Sequence, residues 1–335
     1  MSDRAWQEML AEFRALGGTA DNICLRDGPN GRGIFPVDTA KPVAIRIPPN
    51  LLLDTRDAEF AAATFRVAAS SKAPARERAF FEAYENRFAW GGGGRAEIER
   101  IFAEAQALPE TLRHTLKSEY ECGEWFDPPT ESLIADRFIN SRCLRYPDRK
   151  VIMPIVELAN HGVGPSCSIT PAGIAFQGKF EGEVVAKYAD FDPHGVFATW
   201  GFAYEQPQAF SMALGGKVGG RMVQIGRDLG SLPPALEYWI PAMSADTEGA
   251  RLQFLMIGNR RHPRLCKGIF YKLMRQAGLS GFEDAFETMQ HANRMHFLKL
   301  LALLEQAEGP MVQTLRRMAR FQLQAMSYCY GAKAP

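Results

Sequence analysis

Along the first sixty residues the apolar positions change period. Trp6, Met9, Leu10, Phe13 and Leu16 recur at helical spacing, with Ser2 placed to cap the start and Gly17 to stop it. They predict an amphipathic helix laid against the body of the protein. Residues 20–56 read instead as short strands joined by turns: "DNICLRD", then "GPNGRGIF", then "KPVAIRIPPNLLL", where Val43, Ile45 and Ile47 alternate before Pro48 and Pro49 end the run. From about residue 57 the period becomes helical again. "AEFAAATFRVAAS", "ARERAFFEAYENRFAW" and "RAEIERIFAEAQ" predict helices by spacing and by their Ala, Glu and Arg content.

"WGGGGR" is the only glycine tract. It lacks the GK[ST] ending of a phosphate loop and no strand precedes it, so a flexible connection between helices is expected. "DPPTES" is a helix-start signal ahead of "LIADRFINSRCL". Strand character returns over 149–190 in "KVIMPIVEL", "CSITPAGIAF" and "EGEVVAKYA". Mixed, loop-rich sequence follows "WGFAYEQP", and the chain closes with two long helical stretches, "ANRMHFLKLLALLEQAE" and "PMVQTLRRMARFQLQAMSYCY". Two β-rich blocks are thus separated by about eighty helical residues. Each block alone would bury little, so one β-core interrupted by a helical insertion is expected.

The chain has 335 residues, and its 39 basic and 38 acidic residues leave a formal net charge of +1. That balance supplies no long-range field for nucleic acid or a membrane surface. No run approaches the roughly 18 apolar residues of a membrane span, and the N-terminal segment does not read as a signal peptide. The six cysteines are scattered with no CxxC pair, which argues for reduced, mostly buried thiols rather than a zinc site or a disulfide framework. A cytoplasmic protein is expected.

Candidate chemistry concentrates in "VIMPIVELANHG". An apolar, β-branched run ends there on Asn160 and His161, two side chains that are costly to bury unpaired. Glu157, Asn160 and His161 are open to three readings: a carboxylate–imidazole pair, a metal ligand or a corner that shapes the backbone. One His without clustered ligands makes a poor metal site, so no metal is expected.

The order of the pieces narrows the choice. "AWQEML", "GRG" at Gly31–Gly33, "SR" at Ser141–Arg142, "PIVELANHG", "GEVVAKYA" and "WGFAYEQP" follow one another, with Asn160 eighteen residues after Arg142. In that order they resemble the SET-domain methyltransferases, and within them the branch containing the Rubisco large-subunit lysine methyltransferase. The resemblance covers roughly residues 4–207 and more loosely the helical tail. It implies an α+β fold: a SET-type β-core of several small sheets with a knot-like crossing, a helical insert and a mostly helical C-terminal lobe. The parts would be an N-terminal helix at 1–19, the core at 20–56 and 136–206, the insert at 57–135 and a substrate-docking lobe at 207–335.

The resemblance further implies an S-adenosylmethionine-dependent methyltransferase acting on a side chain of a protein substrate, lysine by family. Asn30, Gly31, Arg32, Gly33, Arg142, Asn160 and His161 would bind cofactor, with the guanidinium of Arg142 on the cofactor carboxylate. Tyr188 matches a tyrosine that shapes the acceptor channel. Trp200 stands where the family's central catalytic tyrosine usually lies, and an indole N–H only donates. The acceptor, lysine or histidine, therefore stays open, and a SET-fold module that binds cofactor or peptide without turnover is the alternative. Tyr204 is a further hydroxyl near that position. Two smaller departures are Glu157 for the usual Asp and Gly162 for the usual Ser. Outside the pattern, His194 reads as a hydrogen-bonded turn residue and Arg260–Arg264 as a local basic surface; the sequence carries no sign of oligomeric state.

Overall fold

The computed structural model describes residues 3–61, 64–229 and 240–329. In chain order, helix α1 (Asp3–Ala15) leads into strands β1 (Thr19–Asp21), β2 (Ile23–Gly28), β3 (Gly31–Pro36), β4 (Val43–Ile47), β5 (Leu53–Asp54), β6 (Ala58–Phe60) and β7 (Phe65–Val67). Helix α2 (Ala75–Phe88), a π-helical turn at Trp90–Gly94, α3 (Arg95–Gln106), α4 (Glu110–Ser118) and α5 (Glu131–Arg142) follow. Then come β8 (Leu144–Tyr146), β9 (Arg149–Ile152), β10 (Asn160–His161), β11 (Ser168–Thr170), β12 (Gly173–Gly178) and β13 (Val185–Ala186). After α6 (Pro193–Trp200) lie six strands, β14 (Gln208–Phe210), β15 (Leu214–Val218), β16 (Arg221–Ile225), β17 (Met243–Ala245), β18 (Gly249–Leu252) and β19 (Met256–Asn259). Three helices close the chain: α7 (Pro263–Gln276), α8 (Ala285–Leu304) and α9 (Pro310–Ser327).

The architecture is α+β, with several small sheets rather than one large one. Strands of the two β-rich blocks pair with each other. β4 runs antiparallel between β1 and β12, with Ile47 opposite Ile174, and β5 pairs with β9, with Leu53 opposite Ile152. Residues about a hundred or more positions apart thus share one core. The chain divides into two compact units, one of Met1–Arg100 with Pro128–Ala189, the other of Ile101–Asp127 with Asp190–Pro335.

In the first unit, α1 buries Trp6, Met9, Leu10 and Phe13, the stripe read from the sequence; Ser2, its expected cap, lies outside the described residues. Thr130 caps α5 through its hydroxyl, which accepts from Leu133 N at 3.1 Å, as "DPPTES" signalled. The expectation of a helix across 58–70 is corrected: β6 and β7 form an antiparallel hairpin, with Phe60 opposite Phe65. Alanine content favours helix, but tertiary packing overrides it. Phe60 sits in an aromatic cluster with Phe65, Trp90 and Phe138, and the side-chain amide of Asn86 completes the hairpin edge. Asn86 Oδ1 accepts from Phe65 N at 2.8 Å, and Nδ2 donates to Phe65 O at 2.9 Å.

In the second unit, β15, β16, β18 and β17 form a four-stranded sheet, with β16 and β18 parallel and the outer pairs antiparallel. The stretch after 207 therefore carries substantial strand before its helices. Short strands broken by glycines, as in "LGGKVGGRM", left the period too short to read. Tyr330, the last residue of the final helical stretch in the sequence, lies outside the described residues. No helix among the described residues is long and apolar enough to cross a membrane.

Candidate functional site

The first unit brings together most of the residues singled out in the sequence. β2 and β3 form a hairpin whose turn holds Asn30, with Gly28 opposite Gly31. Gly31 adopts φ +89°, a left-handed conformation that favours glycine. The corner Asn160–His161 is the short strand β10, which runs parallel to β13 with Asn160 opposite Val185 and His161 opposite Ala186. These two distant pieces meet: Asn160 Nδ2 donates to the carbonyl of Arg32 at 3.3 Å.

The route into the corner is strained. Ile155, fully buried, has φ +72° and ψ −59°, and Val156 N donates to Pro154 O at 2.9 Å across it. This is a γ-turn in its rare, costly form, unusual for any residue and more so for a β-branched one. The hydroxyl of Tyr84 holds it by accepting from Ile155 N at 2.8 Å. A turn of helix, Val156–Leu158, then delivers the chain to Asn160. Strain of this kind, kept by the surrounding structure, is what functional corners concentrate.

His161 is buried and its Nδ1 accepts from Tyr188 N at 3.3 Å, which leaves Nε2 to carry the proton. Burial, helped by the charge of Lys187, lowers its pKa to about 4, so the ring is neutral near pH 7. The Tyr188 hydroxyl donates to Ala159 O at 2.7 Å, and its ring lies 5.1 Å from the imidazole, tilted by 55°. Burial raises that phenol to about 12. Tyr188 is therefore a neutral, fixed donor that buttresses the corner; it cannot act as a base near neutral pH.

Arg142, the last residue of α5, donates from Nη1 to Glu157 O at 3.1 Å and lies over the Phe138 ring at 5.2 Å. Its Nε is buried without a hydrogen-bond partner. Beside it lie two buried carboxyls. Glu85 accepts from Trp90 N at 3.3 Å through one oxygen only, and neither oxygen of Glu157 has a well-formed hydrogen bond, although Tyr84 and Glu85 lie beside it. Burial raises the pKa of Glu157 to about 7 and pushes Glu85 well above the usual carboxylate range.

Arg32 points elsewhere. Its Nη1 donates to the carbonyl of Gly92 at 2.9 Å and its guanidinium lies 5.8 Å from the Phe88 ring. The glycine tract, expected as a flexible connection, is a π-helical turn with Gly93 at φ +121°. A Cβ on Gly91 would fall 2.3 Å from Asn86 O and one on Gly92 2.7 Å from Arg87 O, so glycines are needed for the tight overlap with the end of α2. The tract joins α2 to α3, as expected, but as a turn of helix that also binds Arg32.

Sequence reasoning passed over Glu183, although it quoted the motif that contains it. Its carboxylate accepts from Asn160 Nδ2 at 2.5 Å through Oε1 and from Asn30 Nδ2 at 2.7 Å through Oε2. A Cβ on Gly33 would lie 2.5 Å from Glu183 Oε1 and 2.8 Å from Asn160 Nδ2, so the glycine leaves room for this junction. The second glutamate in "EGEVV", two residues before a strand paired to the Asn160–His161 corner, was the available signal.

Trp200 belongs to the second unit. It is the last residue of α6, only 9% exposed, with the rings of Phe191 and Phe202 at 5.6 and 6.3 Å. Gly201 ends the helix at φ +75°, with its N–H on Phe197 O at 2.8 Å. His194, read from sequence as a turn residue, lies on α6, buried, with Nε2 2.7 Å from Tyr120 O.

No protein-family model matches the chain, and no curated protein does. Among solved structures it is similar to Rubisco LSMT bound to AdoMet, at 13% identity and a TM-score of 0.46 over 96% of this chain and 90% of that one. It is similar also to the SET domain of LSMT bound to lysine and AdoHcy, at 12% identity and a TM-score of 0.41 over 97% and 89%. A third likeness is to Rubisco LSMT bound to sinefungin and monomethyllysine, at 12% identity and 0.41 over 98% and 90%. Likeness at this level decides nothing about activity. The residues must carry that argument.

The groups present do fit a nucleotide with an amino-acid tail. Bare backbone at Gly31, a neutral imidazole, an orphaned guanidinium N–H on Arg142 and two side-chain amides supply close approach, donors and acceptors. Among the described residues no group of three or more His, Cys, Asp or Glu is arranged to hold a metal. A separate cavity of about 730 Å³ lies in the second unit, lined by Leu214, Gln224, Arg227, Met243, Arg251 and neighbours, and includes none of the residues expected to bind cofactor.

Proposed function

We propose that this protein is an S-adenosylmethionine-dependent methyltransferase acting on a side chain of a protein substrate. The observation that carries the reading is the junction at Asn160, where the GRG hairpin and the Asn-His corner are joined through Asn160 Nδ2 and Arg32 O. The motif order supports it: the hairpin that carries GRG and the strands that carry NHG and GEVVAKYA come together in the first unit. Solved SET-domain structures similar in fold are described with AdoMet, AdoHcy and sinefungin, which fits the same cofactor.

In this reading the turn Asn30–Gly31–Arg32–Gly33 lies on the nucleotide side, with Gly31 offering bare backbone, and Arg142 meets the cofactor carboxylate. Asn160 and the neutral His161 hold the remaining polar atoms. The cofactor supplies a methyl group on a sulfonium, ready for in-line displacement. The chain's task is then to exclude water and to accept an unprotonated nucleophile in line. Its own hydroxyls offer little base chemistry: Tyr188 is committed to Ala159 O with a pKa near 12. The acceptor amine or imidazole must therefore lose its proton to solvent or through desolvation. Lysine is the acceptor by family, and Trp200 in place of the family's usual tyrosine leaves histidine open.

Trp200 favours a second reading, a SET-fold module that binds cofactor or peptide without turnover, because its indole N–H only donates. Calorimetric titration with S-adenosylmethionine, followed by transfer from the tritiated cofactor into a protein extract, separates the two. Binding with transfer that is lost in Trp200→Ala supports an adapted active site. Binding without transfer supports the module. No binding at millimolar cofactor removes both.

A further inference from the structure

The residue that ties the candidate site together carries a carboxyl group. Glu183 is half-buried, and both of its carboxylate oxygens accept hydrogen bonds from neutral amides, Asn160 Nδ2 at 2.5 Å and Asn30 Nδ2 at 2.7 Å. Among the described residues no cation is paired with it. The two arginines of the site are committed elsewhere, Arg32 to Gly92 O and Arg142 to Glu157 O. Its negative charge is felt by the Tyr188 phenol, so the carboxylate lies within electrostatic reach of the corner.

A carboxylate held only by neutral donors in a partly desolvated place keeps an uncompensated field. Such a carboxylate has electrostatic complementarity to offer a ligand cation. Gly33 lies against the same junction: a Cβ there would meet Glu183 Oε1 at 2.5 Å and Asn160 Nδ2 at 2.8 Å, so a side chain at this position would displace those side-chain ends.

We infer that Glu183 is a cation-reading residue of the cofactor site, and that the group it reads is a positive centre of the ligand, its sulfonium or its ammonium. The inference rests on the functional reading above and deepens it. Asn30 and Asn160 orient the carboxylate. The ligand's cation supplies the counter-charge that the free protein lacks. Charged ligands are thereby favoured over neutral nucleosides of the same shape, which is specificity by electrostatics rather than by volume.

The test is calorimetric binding of three ligands to the wild-type protein, Glu183→Gln and Glu183→Asp. The ligands are S-adenosylmethionine, S-adenosylhomocysteine and neutral methylthioadenosine. Glu183→Gln is expected to weaken S-adenosylmethionine by at least about tenfold and methylthioadenosine by less than about twofold. Glu183→Asp is expected to keep most of the affinity. A larger loss for S-adenosylmethionine than for S-adenosylhomocysteine assigns the sulfonium; equal losses for these two assign the ammonium. Equal losses for all three ligands, or none, overturn the inference and leave Glu183 a structural strap. Should Glu183→Gln not fold, the wild-type salt dependence decides: affinity for decarboxylated S-adenosylmethionine, which keeps both cations and lacks the carboxylate, is expected to fall with ionic strength while that for methylthioadenosine does not, and identical slopes overturn the inference. Failure of the wild-type protein to bind any of the three overturns the functional reading as well.

Discussion

Each unit buries carboxylates, and they are treated in opposite ways. In the second unit Asp192 is completely buried and accepts four hydrogen bonds: Gly195 N at 2.9 Å, Phe210 N at 3.0 Å, Gln322 Nε2 at 2.7 Å and Arg227 Nη2 at 2.6 Å. Burial works to raise its pKa, but Arg227, His194 and the donated backbone bonds outweigh it and hold the group below the ordinary carboxylate value. In the first unit Glu157 and Glu85 are buried with one hydrogen bond between them to a backbone donor, and burial raises both. Asp192 is an anchor: it caps α6, ties β14 and reaches α9 through Gln322. The glutamates lie instead beside the corner that carries the candidate chemistry, together with the strained Ile155 and the incompletely bonded Arg142. The carboxylate that anchors α6 is fully satisfied, whereas the two beside the candidate site are not.

Breaking the anchor should have the largest effect. Asp192→Ala leaves the buried Arg227 charge without its partner and should lower the unfolding free energy by about 3–5 kcal/mol, read from denaturant unfolding. A loss no larger than that of an exposed substitution would show that the two carboxylate environments do not differ in kind.

Disturbing the site should instead spare the fold. Arg142→Ala should weaken cofactor binding by at least about tenfold, consistent with roughly 1.5–3 kcal/mol for a charge-assisted bond. Unchanged affinity would remove Arg142 from the site. Gly33→Ala should also reduce affinity about tenfold or more by pushing Glu183 and Asn160 apart, while costing only about 1 kcal/mol of stability. Gly216→Ala in β15 is the control, since a Cβ there meets nothing within 4 Å.

The smallest effect is a pH dependence. Glu157 has a pKa of about 7 in the folded protein, above its unfolded value. Its native environment therefore favours the protonated form; the stability this contributes is complete below the unfolded pKa and is lost as pH rises through 7. The melting temperature should fall by a few degrees between pH 5 and 8, and Glu157→Gln should flatten that slope. His161 works in the opposite direction: its pKa is lowered to about 4, so its contribution is present above its unfolded pKa and lost as pH falls toward 4. A steeper slope in Glu157→Gln than in the wild type would reverse the assignment of the buried proton.

Much of this was set by local sequence. The α1 stripe, the Thr130 cap, the alternation of Val43, Ile45 and Ile47 and the GRG hairpin are short-range consequences of period and turn chemistry, and each is present in the structure. The motif order also pointed to the patch where Arg32, Asn160, His161 and Tyr188 meet. Only the tertiary structure decided the rest. An alanine-rich stretch became the β6–β7 hairpin because Asn86 and an aromatic cluster supplied partners that its own sequence lacks. Four glycines became an ordered π-turn because Arg32, sixty residues earlier, binds Gly92. Glu183 acquired its place from amides 153 and 23 residues away. Period and capping act over a few residues and can be read along the chain. Whether a buried polar group is satisfied depends on partners distant in sequence, and folding alone brings those together.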